Sequence, residues 1–461
     1  MALHRVIILG AGFGGLAAAK QVTKTGAAVS ATLIDQRNHH TFQPLLYQVA
    51  TAGLDAGDIS YTTRRIARDN KSLRALQGRV VHVDFDTQTV VLDDETRVEY
   101  DSLIFALGAV TADFGVPGVK EHAFGLKSTA DAEALRQHVI SIFDQVANSI
   151  ARGETVDPAS TTFAIVGGGP TGVEMAGGYA ELTNRVLLPD FPEIDPKLVR
   201  IILIEGQGAL LGGFAPPLQN KAAARLREIG VEVMLEQQVK SITGTCCELA
   251  DGSTIPTTTV VWAAGVKANP LAEQLGLEVG RGGRVIVDDQ LRVPGHSNVY
   301  AIGDLAATPQ PNADGLVPQV APVAIQGGEF VADRILDSLA HGHSTTTPEP
   351  EFRYVDKGSM ATIGRNAAVV QLPNGKRVSG FLGWVAWLAL HLVMLMGFRN
   401  RISVFLNWAW NYFTYDRGSR AVIETTRPEL TSQTSTEEAL AQTLAEAHGP
   451  GLPPGSGVLQ Q

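Results

Sequence analysis

Two stretches of the chain share one pattern, a short unbroken apolar run that stops abruptly at glycine. The first is Val6-Ile7-Ile8-Leu9, running into Gly10-Ala11-Gly12-Phe13-Gly14-Gly15. The second is Phe163-Ala164-Ile165-Val166, running into Gly167-Gly168-Gly169-Pro170-Thr171-Gly172. An apolar run without alternation predicts a strand buried on both faces, and the glycines predict a tight turn into a helix, Leu16 to Thr25 in the first case. Each unit then gains a second strand, Thr32-Leu33-Ile34 ending in Asp35 and Arg200 to Ile204 ending in Glu205. Alternating patterns over Val80–Phe85 and Thr89–Leu92 predict half-exposed strands, and Asp131–Ser149 has helical spacing. Leu103 to Gly108 and Val260 to Gly265 are further apolar runs closed by glycine, and Asn298 to Asp304 predicts a strand returning to the first sheet. The fold class is α/β, with two Rossmann-like dinucleotide-binding domains, the second inserted in the first. The expected boundaries are 1–113 with 291–345 for the outer domain and 114–290 for the inserted one. A C-terminal region, 346–426, and a disordered Ala/Glu/Thr-rich then Gly/Pro-rich tail, 427–461, complete the expectation.

From Phe381 the pattern changes. Phe381 to Phe398 contains no Asp, Glu, Lys or Arg. As a helix it spans about 27 Å, just under a hydrocarbon core of about 30 Å, so one crossing is possible by length. Trp384, Trp387, His391 and Phe398 fall on one side, Arg399 and Arg401 follow, and Ile402 to Phe413 is again apolar and aromatic. Two amphipathic helices lying on a bilayer surface, with tryptophan at the headgroup level, are the preferred reading. A dimer-forming hydrophobic hairpin remains open beside it. The N-terminal apolar run has neither the basic start nor the cleavage site of a signal peptide.

Composition narrows the field. The 461 residues carry 47 acidic and 37 basic side chains, a net charge of −10, which argues against nucleic acid as a partner. The two cysteines, Cys246 and Cys247, are adjacent, which is poor geometry for a disulfide and too few for an iron–sulfur cluster. No metal site is expected.

The glycines carry the chemistry. In a strand–turn–helix context Gly10 and Gly167 permit the turn, Gly12 and Gly169 let the backbone approach a pyrophosphate, and Gly15 and Gly172 let the helix pack closely on its strand. The free N–H groups of each helix start then face phosphate. Asp35 lies about 20 residues past Gly15, where a carboxylate accepts hydrogen bonds from a ribose. Glu205 lies about 33 residues past Gly172, longer than the usual spacing of about 20, with Leu187 to Glu193 as the apparent insertion. Glu205 and the following Gly206-Gln207-Gly208 offer no cation to a 2′-phosphate, which predicts NADH over NADPH. Two dinucleotides on one chain are most simply non-covalent FAD and NAD(P)H, and a flavin-dependent hydride relay follows.

Several further motifs resemble the type II NADH dehydrogenases, the single-subunit, non-pumping NADH:quinone oxidoreductases, over about residues 4–425. They are Phe42-Gln43-Pro44-Leu45-Leu46-Tyr47, Ala106-Leu107-Gly108-Ala109, Thr171-Gly172-Val173-Glu174, Ala301-Ile302-Gly303-Asp304, Ala321-Pro322-Val323-Ala324-Ile325-Gln326 and Lys357 to Gly364. The resemblance implies FAD contacts from Gly10, Gly12, Phe13, Gly14, Gly15, Asp35, Pro44, Leu45, Val81, Ala106, Leu107, Gly108, Gly303, Asp304, Ala324, Ile325 and Gln326. It implies NADH contacts from Gly167, Gly168, Gly169, Pro170, Thr171, Gly172, Glu174, Glu205, Ala264 and Gly265. Glu174, Gln326 and Lys357 would be the catalytic residues, the last two bordering the quinone. Many members have a glutamine where Pro322 stands, so that contact departs from the family pattern. The implied protein is a peripheral respiratory flavoenzyme on the cytoplasmic face of the inner membrane. Its partners would be ubiquinone or menaquinone, the lipid surface and a possible homodimer mate. A soluble NADH-dependent ferredoxin or rubredoxin reductase and a nucleotide-binding sensor are the alternatives.

Overall fold

The structure is a computed structural model describing residues 3–24, 28–310, 315–341, 350–414 and 417–421. The expected tail, 427–461, lies outside the described residues. Strand β1 (His4–Leu9) leads through the glycine turn into α1 (Phe13–Val22) and then β2 (Val29–Asp35). β1 lies between β2 and the strand Ser102–Phe105, with Ile7 opposite both Thr32 and Leu103, and the strands Leu73–Gln77 and Val299–Ala301 form the edges. All these pairings are parallel. The expected return of the chain at Val299 to the first sheet is therefore present.

The second sheet repeats the plan. β3 (Thr162–Val166), α2 (Pro170–Leu182) and β4 (Arg200–Ile204) form its βαβ unit, and β3 lies between β4 and the strand Thr259–Trp262. In each sheet the strand order reverses beside the first strand, which opens a crevice at the strands' carboxyl ends. The long spacing before Glu205 has a visible cause. α2 runs on through a π-helical stretch, Thr183–Leu187, and a short turn, Leu188–Asp190.

Packing shifts the boundaries. Ala268, Ala272, Leu277, Val285 and Val287 lie in the core of the first sheet, so the chain crosses back well before residue 290. Conversely Phe42, Leu45, Leu46, Val49 and Ile59 lie in the core of the second. The two nucleotide units therefore share hydrophobic surface through exchanged segments. Helix α3 (Ala321–His341) packs on α1 so closely that a Cβ on Gly328 would stand 2.3 Å from the Gly14 carbonyl oxygen.

The antiparallel strands Ser359–Thr362, Ala368–Gln371 and Arg377–Gly380 lead directly into α4 (Phe381–Met394), and a turn at Gly397 joins α4 to α5 (Phe398–Thr414). At 14 residues α4 is about 21 Å long, too short to cross a core of about 30 Å. No helix among the described residues is long and apolar enough to cross a membrane.

One expectation fails here. Of the four C-terminal tryptophans only Trp410 is on the exposed face; Trp384, Trp387 and Trp408 turn inward. Trp387 is completely buried, stacked on His391 with centroids 3.8 Å apart, and Trp408 Nε1–H donates to Gln48 Oε1 at 2.7 Å. Trp384 packs on Tyr412. Large indoles inside the protein gain area and a partner for the N–H. The outward face is made instead by Phe381, Leu382, Val385, Val393, Phe398, Phe405, Leu406, Trp410 and Phe413, all exposed.

Candidate active site

The two glycine turns are matched in detail. Gly10 has φ +105°, and a Cβ there would stand 2.3 Å from the Ala106 carbonyl oxygen. Gly167 has φ +108°, and its Cβ would stand 2.5 Å from the Ala263 carbonyl oxygen. Each turn is thus pressed against the turn that ends the adjoining strand, Ala106-Leu107-Gly108 in one unit and Ala263-Ala264-Gly265 in the other. Gly15 and Gly172 seal the helix starts, where a Cβ would meet the carbonyl oxygens of Gly10 and Gly167 at 1.9 and 1.8 Å. Gly12 and Gly169 differ: a Cβ on either would meet no protein atom within 4 Å. Neither helix start has a side-chain cap, so its N–H groups face that open space. This is a fitting cradle for a pyrophosphate in each unit.

The strand-end carboxylates tie the turns down. Asp35 accepts from the Ala11 N–H at 2.7 Å and the Arg37 N–H at 2.8 Å. Glu205 accepts from the Gly168 N–H, and from the Gln207 N–H at 2.7 Å. Each carboxylate has about four acceptor sites, so both retain capacity for ribose hydroxyls. The groups nearest Gly206 and Gly208 belong to Gln238 and Glu236 and supply no cation.

Around the first cradle the sequence-named residues converge. A Cβ on Gly14 would meet the Ala324 carbonyl at 2.9 Å, and one on Gly303 would meet Ala324 Cβ at 3.0 Å. Phe13 stands edge-on to His40 and Phe42. Pro44 is the middle residue of the 3-10 turn Gln43–Leu45, in which Leu45 is fully buried. Val81 lies half-buried in the strand Val80–Asp84. Burial raises the Asp304 carboxyl above the usual range, while Lys127 and Arg284 nearby pull it down. Those two cations carry no motif and escaped the sequence reading, because they come from segments far apart in the chain. Arg284 donates to the carbonyls of Ala306 and Val317, and its Nη2 is buried without a partner. Burial also lowers Lys127.

The three proposed catalytic side chains are placed differently from one another. Glu174 is buried, accepts from the Thr362 N–H at 3.3 Å and is pushed up by burial to about 8. It therefore faces the C-terminal sheet and Trp387, beside Tyr47, whose OH bonds Thr362 Oγ1 at 3.0 Å. Gln326 pairs with the backbone of Val355, donating to its carbonyl and accepting from its N–H, both at 2.9 Å. Lys357 lies two residues further on and is exposed. Pro322 occupies the first turn of α3, where a missing N–H is tolerated. A cavity of about 100 Å³ lined by Tyr47, Glu181, Trp384, Trp408 and Arg417 lies beside Thr362. Its ion pair, Arg417 to Glu181 at 2.9 Å, has no signature in the sequence.

Comparison with known proteins agrees with this geometry. The family model for pyridine nucleotide-disulphide oxidoreductases matches residues 4–328, and that for the NDH2 C-terminal domain matches 357–415. The chain is 41% identical to the type II NADH:quinone oxidoreductase Ndh of Mycobacterium tuberculosis, covering 97% of this chain and 95% of that protein. It is 30% identical to a type II NADH:quinone oxidoreductase of Staphylococcus aureus over 82% of this chain and 91% of that one. In three dimensions it resembles NDH2 of Plasmodium falciparum, solved in complex with NADH, with a TM-score of 0.79, 20% identity, and coverage of 91% of this chain and 100% of that one.

Proposed function

The chain belongs to the type II NADH:quinone oxidoreductases, and on that premise we propose how its residues divide the work. The enzyme is an FAD flavoprotein that oxidises NADH and reduces a quinone. Bound FAD supplies the acceptor for hydride from NADH and the donor of electrons to the quinone. The turn Gly10 to Gly15 and the start of α1 would hold its pyrophosphate, Asp35 its adenosine ribose and Asp304 its ribityl part. Leu107 and Gly108, with Ala324, Ile325 and Val81, complete the binding surface. The turn Gly167 to Gly172, with Glu205, Ala264 and Gly265, would hold NADH.

Glu174 remains protonated to about pH 8 and holds a proton between the NADH unit and the C-terminal sheet. Gln326 has both amide atoms engaged by Val355, so its part is to fix the segment that carries Lys357. The Lys357 ammonium is then the donor toward a quinone oxygen. The exposed apolar face of α4 and α5 holds the protein on the membrane, where the quinone is dissolved. NADH as substrate favours the cytoplasmic face. A ferredoxin or rubredoxin reductase, or a nucleotide sensor, leaves that face without a role.

The matched pair of glycine cradles carries this reading. Anaerobic stopped-flow on Lys357→Met tests the assignment of roles. Flavin bleaching by NADH keeps its rate while recolouring by quinone slows at least tenfold. Equal slowing of both phases removes Lys357 from the quinone side.

A further inference from the structure

The turn between α4 and α5 does more than reverse the chain. Met396, Gly397 and Arg401 form one wall of a cleft of about 320 Å³, and Lys20 of α1 with Tyr61, Ile66 and Asn70 forms the other. The turn is seated tightly, since a Cβ on Gly397 would stand 2.5 Å from the Tyr61 ring. Beside the turn stand two exposed apolar side chains of the hairpin, Val393 at 66% and Phe398 at 78%.

Its charge is opposite to that of the chain as a whole. In a protein of net charge −10, Lys20 and Arg401 line the cleft, and Arg65 lies over the Tyr61 ring at 5.4 Å. Neither Lys20 nor Arg401 has a carboxylate partner among the described residues. Arg401 donates to the carbonyls of Leu395 and Val393, which caps α4 and fixes the guanidinium at the mouth. The single acid in the lining, Asp69, is paired with Arg68 at 3.2 Å. A half-apolar cleft with unpaired cations at its mouth, continuous with an exposed apolar face, matches one kind of ligand: a phosphate headgroup with acyl chains attached.

We propose that this cleft binds the headgroup of an anionic phospholipid, with Lys20, Arg65 and Arg401 facing its phosphate and its acyl chains running out over Val393 and Phe398. The inference rests on the reading that α4 and α5 lie on a membrane. Its consequence is a fixed registration of the protein on the bilayer, because a headgroup held between α1 and the hairpin ties the FAD-binding unit to the same lipid surface.

The test is flotation of the FAD-loaded full chain with two kinds of vesicle, phosphatidylcholine alone and phosphatidylcholine mixed with phosphatidylglycerol. The wild type binds the neutral vesicles through its apolar face and the anionic ones at least tenfold more tightly. Lys20→Gln and Arg65→Gln each remove about fivefold of that preference, the factor expected for one cation at an anionic surface, and leave binding to neutral vesicles and flavin bleaching in detergent unchanged. Lys197→Gln, in the other half of the protein, leaves the preference intact. An unchanged preference in the Lys20 and Arg65 variants, or an equal loss in Lys197→Gln, overturns the headgroup site while the membrane reading stands. Displacement by inorganic phosphate would assign the cleft to a soluble anion and overturn it too. Binding to neither vesicle would overturn both readings.

Discussion

Replacing Glu174 by glutamine should make the protein more stable, and increasingly so as pH rises. The carboxyl is buried, and burial outweighs its hydrogen bonds with the Thr362 N–H, at 3.3 Å, and the Trp387 side chain, pushing it up from 4.5 to about 8. In the unfolded chain the same group ionises near pH 4.3. Between these values the unfolded state releases a proton that the native state keeps. The group's contribution is thus fully present below the unfolded value and is lost as pH rises through about 8. The slope is about 1.4 kcal/mol per pH unit, and the whole interval amounts to about 5 kcal/mol. Glutamine keeps the shape and the acceptor and cannot ionise. The assay is the thermal midpoint of wild type and Glu174→Gln, followed by flavin fluorescence at fixed FAD from pH 5 to pH 9. The two should nearly coincide at pH 5, and the variant should lead by several degrees at pH 8, after which the gap levels off. Parallel curves across the whole range would show that Glu174 is not a buried neutral acid.

Other outcomes follow from the same geometry. Gly12→Val should purify colourless, because its side chain would fill the open space at the start of α1, and a yellow, fully loaded variant would sink the FAD assignment of that unit. Glu205→Gln should weaken NADH by about 1.5–3 kcal/mol through the loss of charge-assisted hydrogen bonds and should raise kcat/KM for NADPH; an unmoved ratio of the two nucleotides would exclude it as the selectivity residue. Gln326→Ala should slow the quinone half-reaction more than the NADH half-reaction, since it frees the segment carrying Lys357. Leu382→Glu, Phe398→Glu and Phe413→Glu together touch side chains 72%, 78% and 81% exposed, so they should release the protein from membranes with NADH-driven bleaching intact. Retained attachment with a change from dimer to monomer would assign that face to self-association.

What could be read from the sequence was what local geometry dictates. A glycine at φ +105° followed by a helix start leaves few alternatives, so both nucleotide units were visible, including Asp35 and Glu205 at their strand ends. Pairings between distant segments were not visible. Lys127 and Arg284 reach Asp304 from two different loops, and Gln326 meets Val355 across a connection that leaves no pattern. The C-terminal helices show a different limit. Periodicity shows which residues share a face of a helix, but α4 is apolar nearly all round, and nothing in its pattern says which face is wet. The size of the indole ring and the need of its N–H for a partner turned Trp387 and Trp408 inward, and the aliphatic and phenyl side chains were left outside with Trp410.

The most direct test of the central claim is an anaerobic titration of the purified yellow protein, followed at the flavin absorbance. One equivalent of NADH should bleach it, and one equivalent of a ubiquinone or menaquinone analogue should restore the colour without oxygen. A flavin that NADH bleaches but quinone does not recolour, or that NADH leaves untouched, would contradict the assignment of these two cradles to one NADH-to-quinone relay.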